Sequence, residues 1–278
     1  MKSSSLLLLS FLLGVCGVQG ASSFKICAFN LHHFGESKVK NSNVVHTLAR
    51  IITRCDVCLL QEVRDMKGKA VPQLLDRLNR TDTVSVTGQY QYPDDREGDV
   101  DAFSREPFIV RFKAPKTDIK EFVLIPQHTT PTNTTKELDA LYDVLQHVRK
   151  MWKTENVMLL GDFNADCGYL AKKNRKHVRL LTERNLYWLI PEKTDTTVRS
   201  STSCTYDRIV VHGERFARSV VPTSAAPFNF QKAYRLSEEQ ALDVSDHYPV
   251  EVLLKGAADR VSLSVGTFLS LFVLKVLT

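Results

Sequence analysis

No internal repeat, low-complexity tract or linker interrupts the 278 residues, so nothing marks an array of small units, and one domain is the simplest organisation. Cys55-Asp56-Val57-Cys58 has no second pair of the same spacing, which makes it a weak sign of zinc or redox chemistry. No apolar run reaches the roughly 20 residues of a membrane span, the C-terminal one being broken by Lys275. Charge is in mild excess: a net +6 permits an anionic partner, but on charge alone an ordinary basic surface is the favoured reading. A hydrophobic content of 43% is ample for a core.

The two ends differ from the rest. Met1-Lys2, an apolar run from Leu6-Leu7-Leu8-Leu9 to Val18, and small residues at Gly20 and Ala21 read as a secretory signal over residues 1–20. Residues 256–278 begin with the small Gly256-Ala257-Ala258 and become apolar, the pattern of a lipid-anchor (GPI) signal whose tail is removed. A short membrane tail and an ordinary apolar terminus are the alternatives. Residues 21–255 are left as the domain. Secretion permits disulfides. Cys16 leaves with the signal, and an odd number of cysteines stays: Cys27, Cys55, Cys58, Cys167 and Cys204. Cys167 and Cys204 sit in polar, loop-like surroundings and are the favoured pair. Cys27 and Cys58 lie in apolar strand patterns and read as buried thiols.

Apolar periodicity predicts helices over 43–54, 71–78 and 137–152. Strands are predicted over 24–30, 57–63, 84–92, 108–112, 122–125, 157–160, 209–211, 219–221 and 249–254. The mixture implies one α/β domain with packed sheets and outer helices. Polar residues gather at the strand ends. Asn30 follows Phe29, Glu62 follows Leu60-Gln61, His128 follows Pro126-Gln127, and Asp246-His247 precede the last strand. Asp162 and Asn164 alternate about Phe163, so both are expected on one side of an extended segment with Phe163 packed inward. Asp207 precedes Arg208 and an apolar run. Carboxylates are hard oxygen ligands for Mg²⁺ or Ca²⁺, and histidines paired with carboxylates serve as acid and base. Taken singly each residue is an ordinary cap or structural histidine. Taken together they suggest metal-assisted hydrolysis of a phosphoester.

The ordered motifs Ala28-Phe29-Asn30, Leu60-Gln61-Glu62-Val63-Arg64-Asp65, Arg105-Glu106-Pro107, Pro126-Gln127-His128, Gly161-Asp162-Phe163-Asn164-Ala165, Cys204-Thr205-Tyr206-Asp207-Arg208 and Ser245-Asp246-His247-Tyr248-Pro249-Val250 resemble the deoxyribonuclease I family. They cover nearly everything between the signal and Lys255. The apolar tail resembles the deoxyribonuclease X (deoxyribonuclease I-like 1) branch. The resemblance implies a four-layered α/β sandwich, with two central mixed sheets flanked by helices. It implies a monomeric endonuclease that hydrolyses DNA phosphodiesters to 5′-phosphate ends with Mg²⁺ and Ca²⁺. By the same resemblance His128 and His247 are the catalytic histidines, with Asp207 and Asp246 as their carboxylate environment. Asn30, Glu62, Asp162, Asp246 and Asn164 bind metal or the scissile phosphate, and Arg64 reaches the DNA minor groove. Cys167–Cys204 is the family's main disulfide, and Asp195 and Thr197 loosely match a structural Ca²⁺ loop. Nothing in the sequence argues for actin binding. The implied compartment is the secretory pathway: endoplasmic reticulum, cell surface or outside the cell.

One departure from the family is large. Asn79-Arg80 runs straight into Thr81-Asp82, where the family has a further stretch supplying strands of the first sheet and a glutamate that pairs with a catalytic histidine. Part of the first sheet is therefore expected to be missing, leaving ladder groups and apolar faces without partners. The alternative function follows from this: a shortened chain that binds DNA or misfolds, with little or no catalysis. The junction also creates a glycosylation sequon, Asn79-Arg80-Thr81, beside a second at Asn133-Thr134-Thr135. The family's smaller two-cysteine loop is replaced by the acidic segment 94–99, which fits the deoxyribonuclease X branch.

Overall fold

Alternating burial along the chain builds two sheets stacked face to face. The computed structural model describes residues 23–78, 84–93 and 102–257. The signal over 1–20, the tail beyond residue 257, the Asn79-Arg80-Thr81 sequon and the acidic segment 94–99 lie outside the described residues. In chain order the elements are β1 (Phe24–Gly35), α1 (Glu36–Val39), α2 (Ser42–Ile52), β2 (Val57–Arg64), α3 (Ala70–Leu75), β3 (Ser85–Gln91), β4 (Phe108–Lys113), β5 (Glu121–Pro126), α4 (Thr134–Trp152), β6 (Val157–Asp162), α5 (Arg179–Thr182), β7 (Leu186–Trp188), β8 (Asp207–His212), α6 (Glu214–Ser219), β9 (Ala226–Pro227), α7 (Phe230–Tyr234), α8 (Glu238–Val244) and β10 (Val250–Leu254).

One sheet has the order β2-β1-β10-β9 and the other β3-β4-β5-β6-β8-β7. Both are mixed: β1 runs parallel to β2 but antiparallel to β10, and β5 runs parallel to β6 but antiparallel to β4. Successive side chains of β1 point to opposite faces. Ile26 and Ala28 enter the core between the sheets with Leu124, Met158, Leu160 and Ile209. Phe29 and Leu31 enter an outer core with Val44, Leu48 and Ile51 of α2. On the other outer face, α4 lays Leu138, Leu141, Leu145 and Val148 onto Val123, Ile125, Val157 and Leu159. The result is the four-layered order helix, sheet, sheet, helix.

Local chemistry sets the helix ends. The side chain of Asn41 accepts from the backbone N–H groups of Asn43 and Val44 at the start of α2. A reciprocal capping box between Ser237 and Gln240 starts α8. Among the described residues no helix is long and apolar enough to cross a membrane.

The two sheets differ in width. Among the described residues the four-stranded sheet ends at β2, whereas the six-stranded one continues past it through β4 and β3. This is the shortened first sheet expected from the sequence, and it leaves an open groove between β2 and β4. Two readings are corrected. The strand predicted over 219–221 is instead the end of α6 followed by a single bridge from Val220 to Leu254. Cys27 is no free thiol: it is bonded to Cys55, tying β1 to the chain just before β2. That bond also removes Cys55 from any redox or zinc pair with Cys58, which is the free cysteine among the described residues.

A second disulfide joins Cys167 to Cys204 across 37 residues. On loop-closure grounds, replacing both by alanine lowers unfolding stability by about 3–4 kcal/mol. Equilibrium guanidinium unfolding of the oxidised protein and the C167A/C204A variant measures this.

Candidate active site

Six elements bring their polar ends to one edge of the stacked sheets. Asn30 lies on β1, Glu62 on β2 and Asp162 at the end of β6. His128 follows β5, Asp207 opens β8, and Asp246-His247 precede β10. Asn30, Asp162 and Asp207 are buried, while Glu62, His128 and His247 are partly exposed.

Asp162 is the centre. The Asn30 amide donates from Nδ2 to Asp162 Oδ2 at 3.0 Å and to Glu62 Oε1 at 3.1 Å. His128 Nε2 lies 3.4 Å and His247 Nε2 3.7 Å from the same Asp162 oxygen. On its other side His247 meets Asp207 through Nδ1 to Oδ2 at 2.7 Å. His128 has no equivalent: among the described residues no side chain hydrogen-bonds its Nδ1, and Glu62 is 3.9 Å from Nε2.

This asymmetry separates the two imidazoles electrostatically. Burial opposes a charge on His247, but Asp207 and Asp162, the hydrogen bond to Asp207 and the farther Asp246 outweigh it and hold its pKa up at about 10. Burial dominates at His128, helped by the Arg105 charge, and lowers its pKa despite Asp162 and Glu62. Burial, reinforced by Asp207, raises Asp162 against the pull of the two histidines. Burial also works against the charge of Glu62, yet the Asn30 hydrogen bond and the nearby His33, His128 and His32 keep its pKa low.

Gln61 holds the two sheets in register at this edge. It donates from Nε2 to the Gln127 carbonyl at 2.8 Å and accepts the Asp162 N–H at 2.9 Å. Gly161 makes this approach possible. Its φ is +131°, and a Cβ there would meet the Gln127 carbonyl oxygen at 2.3 Å and the Gln61 amide nitrogen at 2.6 Å. The buried Glu137 of α4 anchors the His128 loop by accepting from the Thr130 N–H and from Gln127 Nε2. The buried Ser245 hydroxyl donates to the Asn30 carbonyl and accepts the His247 N–H.

His32 and His33 occupy a bulge of β1, where the register against β2 shifts between Asn30 and Phe34. Both have left-handed φ, +45° and +62°, as does Glu62 at +56°, a concentration of backbone strain typical of functional sites. His33 Nδ1 sits 2.5 Å from Glu62 Oε2, and His32 Nδ1 3.8 Å from Asp246 Oδ1. Sequence reasoning did not single out Gln61, Glu137, Ser245, His32 or His33 as site residues. The first three act through backbone groups, which leave no pattern in the chain, and a His-His pair after a strand is not informative alone.

Asn164 adopts φ +47°, so the chain turns rather than extends after Asp162. The expected alternation therefore fails, although Phe163 is buried. The Asn164 N–H turns back onto Asp162 Oδ1, and its side chain donates to the Thr129 carbonyl. Arg64 stands exposed at the end of β2. Asp246 lies at the rim, 4.0 Å from His247 Nε2. Asp195 spends Oδ1 on the N–H and hydroxyl of Thr197, closing its own loop.

The donor set suits a divalent cation. Asp162, Asp207 and His247 offer ligand atoms all within 4.8 Å of one another. Asp207 Oδ1 is buried without a hydrogen-bond partner, the condition a cation or a protonated group would relieve. Glu62 and Asp162 converge on one point, now filled by the Asn30 amide. Hard oxygens in this arrangement match the ions that favour carboxylates.

The Endonuclease/Exonuclease/phosphatase family matches residues 27–247, and this chain belongs to it. Within the family it is similar to Deoxyribonuclease gamma of Rattus norvegicus, 46% identical with 90% of each chain covered. It is also similar to Deoxyribonuclease-1 of Sus scrofa, 44% identical over 90% of this chain and 98% of the relative. Deoxyribonuclease-1-like 1 of Homo sapiens is 44% identical over 91% and 92%. The first alignment runs 280 positions yet takes up only 90% of this chain, so the relative carries residues with no counterpart here. Among solved structures, a humanized D. rerio TDP2 superposes with TM-score 0.59 at 16% identity, covering 83% of this chain and 98% of its own. A Bacteroides thetaiotaomicron member of the family superposes at 0.56 and 17%, covering 84% and 98%. These two share the fold.

Two outcomes follow from the geometry. In a histidine NMR titration of the metal-free protein, His128 loses its proton below pH 6.5, while His247 stays protonated until about pH 10; Asp207→Asn moves the His247 midpoint downward. Gly161→Ala lowers unfolding stability by roughly 1–3 kcal/mol, read by urea unfolding, because it combines left-handed backbone with a collision.

Proposed function

We propose that this chain is a divalent-metal-dependent DNA endonuclease that hydrolyses phosphodiesters to 5′-phosphate ends. The observation that carries this reading is the pair of imidazoles flanking Asp162 with opposite proton preferences. His247, charged through Asp207 and Asp162, is suited to give a proton to the departing 3′ oxygen. His128, kept neutral by burial, is suited to take one from the attacking water. Asn30, Glu62 and Asp162 would hold the metal, with Asp246 at the rim; Mg²⁺ is the expected ion and Ca²⁺ the second, both favouring oxygen donors. Such an ion supplies charge neutralisation and polarisation at the phosphate. Asn164 and the exposed Arg64 are the expected phosphate and DNA contacts, and the exposed Arg105 beside His128 is a further candidate. The names of the curated relatives support DNA as the substrate.

Two disulfides support an oxidising, secretory compartment. Residues 1–20 as a signal and 256–278 as a lipid-anchor signal belong to the same reading, with the domain between them acting as a monomer.

A second reading rests on one observation. His128 lacks the carboxylate partner that His247 has, which favours a chain that binds DNA and turns it over slowly. Nicking of supercoiled plasmid with Mg²⁺ and Ca²⁺ decides between them. The expected result is metal-dependent nicking that falls about 10²–10⁴-fold in a folded His247→Ala variant. Nicking that persists with chelator, or is unchanged in the variant, overturns the proposal. Plasmid retention without nicking assigns the second reading.

A further inference from the structure

The step in width between the sheets leaves a groove of about 610 Å³ that runs along β2 to His128. Its walls are apolar: Leu59, Phe108, Val110, Phe112, Leu124 and Leu160. Phe108 is 46% exposed, a large apolar surface open to solvent at the lip. At the end nearest His128 the lining becomes polar, with the guanidinium groups of Arg64 and Arg105 beside the imidazole. Two acids stand there as well. Glu62 is committed to Asn30 and His33, and Glu106 is exposed. Arg105 spends its guanidinium donors on the His128 carbonyl oxygen, an uncharged acceptor, so its charge has no carboxylate partner in that contact. An apolar trough of a few hundred Å³ with a few convergent polar groups at one end is the usual form of a small-molecule site.

We propose that this groove binds a medium-chain fatty acid, with the acyl chain along β2 and the carboxylate at Arg64, Arg105 and His128. The acyl chain would lie against the exposed Phe108 and the half-buried Leu59, Val110 and Phe112. The carboxylate supplies His128 with the acceptor that Asp207 supplies to His247. A ligand of this class therefore acts as a positioning group for His128 as well as an occupant. The binding part stands without the nuclease reading; the rate effect rests on it.

Isothermal titration of the full chain without divalent ions, using octanoate, butyrate and 1-octanol, tests binding. Octanoate is expected to bind tighter than butyrate by about fourfold per buried methylene, and Phe108→Ala to weaken octanoate at least tenfold with the fold intact by circular dichroism. Plasmid nicking in Mg²⁺ is then compared with and without each compound. Octanoate is expected to raise the rate at least tenfold, whereas 1-octanol binds without raising it. Absence of saturable octanoate binding overturns the proposal, as does equal binding of butyrate. Binding of an alternating valine–threonine hexapeptide in place of octanoate overturns it in favour of strand addition to β2. Octanoate binding in a chain that never nicks DNA upholds the site and removes the nuclease reading instead.

Discussion

Gln61 reaches from the edge of one sheet to the backbone of the other, and the placement of Asp162 and His128 depends on that reach. By accepting the Asp162 N–H it fixes the end of β6, and by donating to the Gln127 carbonyl it fixes the end of β5. Asp162 and His128 sit on those two ends. Because the amide bridges two layers, a shift of one sheet over the other would misplace both groups at once. A buried amide with both functions satisfied by backbone is costly to disturb, so the register between the sheets and the geometry of the site are the same constraint. Gly161 belongs to it too, since no larger residue lets the layers approach this closely.

Much of this was legible in the chain. Alternating and continuous apolar runs marked β1, β2, β5, β6, β8 and β10, because strands with one or both faces in a core must carry them. The polar residues at their ends then had to emerge at sheet edges, and Asn30, Glu62, His128, Asp162, Asp207 and His247 do gather at one edge. What was not legible has a physical pattern. Short elements such as β7, α7 and α8 carry too few residues for a period to appear. The turn at Asn164 and the bulge at His32-His33 need left-handed backbone in residues other than glycine, which tertiary contacts impose and local sequence does not announce. The Cys27–Cys55 bond depends on how β1 meets the chain entering β2, which spacing does not encode.

The site itself joins two different electrostatic solutions. His247 is held between carboxylates and kept charged, while His128 is isolated by burial and kept neutral. The same low-dielectric edge yields opposite results because one imidazole has Asp207 behind it and the other has the open groove. The strained bulge beside them adds His33 to Glu62, a contact that orients the carboxylate without using the oxygen that faces Asn30.

The unequal width of the sheets bears on behaviour in concentrated solution. An outer strand is normally guarded by a proline, a lysine or a covering loop. From Val57 to Val63, β2 has neither proline nor lysine, and its sequence is apolar until Gln61. Among the described residues no strand pairs with its outer edge, and the one unbonded thiol among them, Cys58, lies on that strand. An apolar outer strand without proline or lysine is the kind of edge along which concentrated chains associate, and here it lies beside the candidate active site.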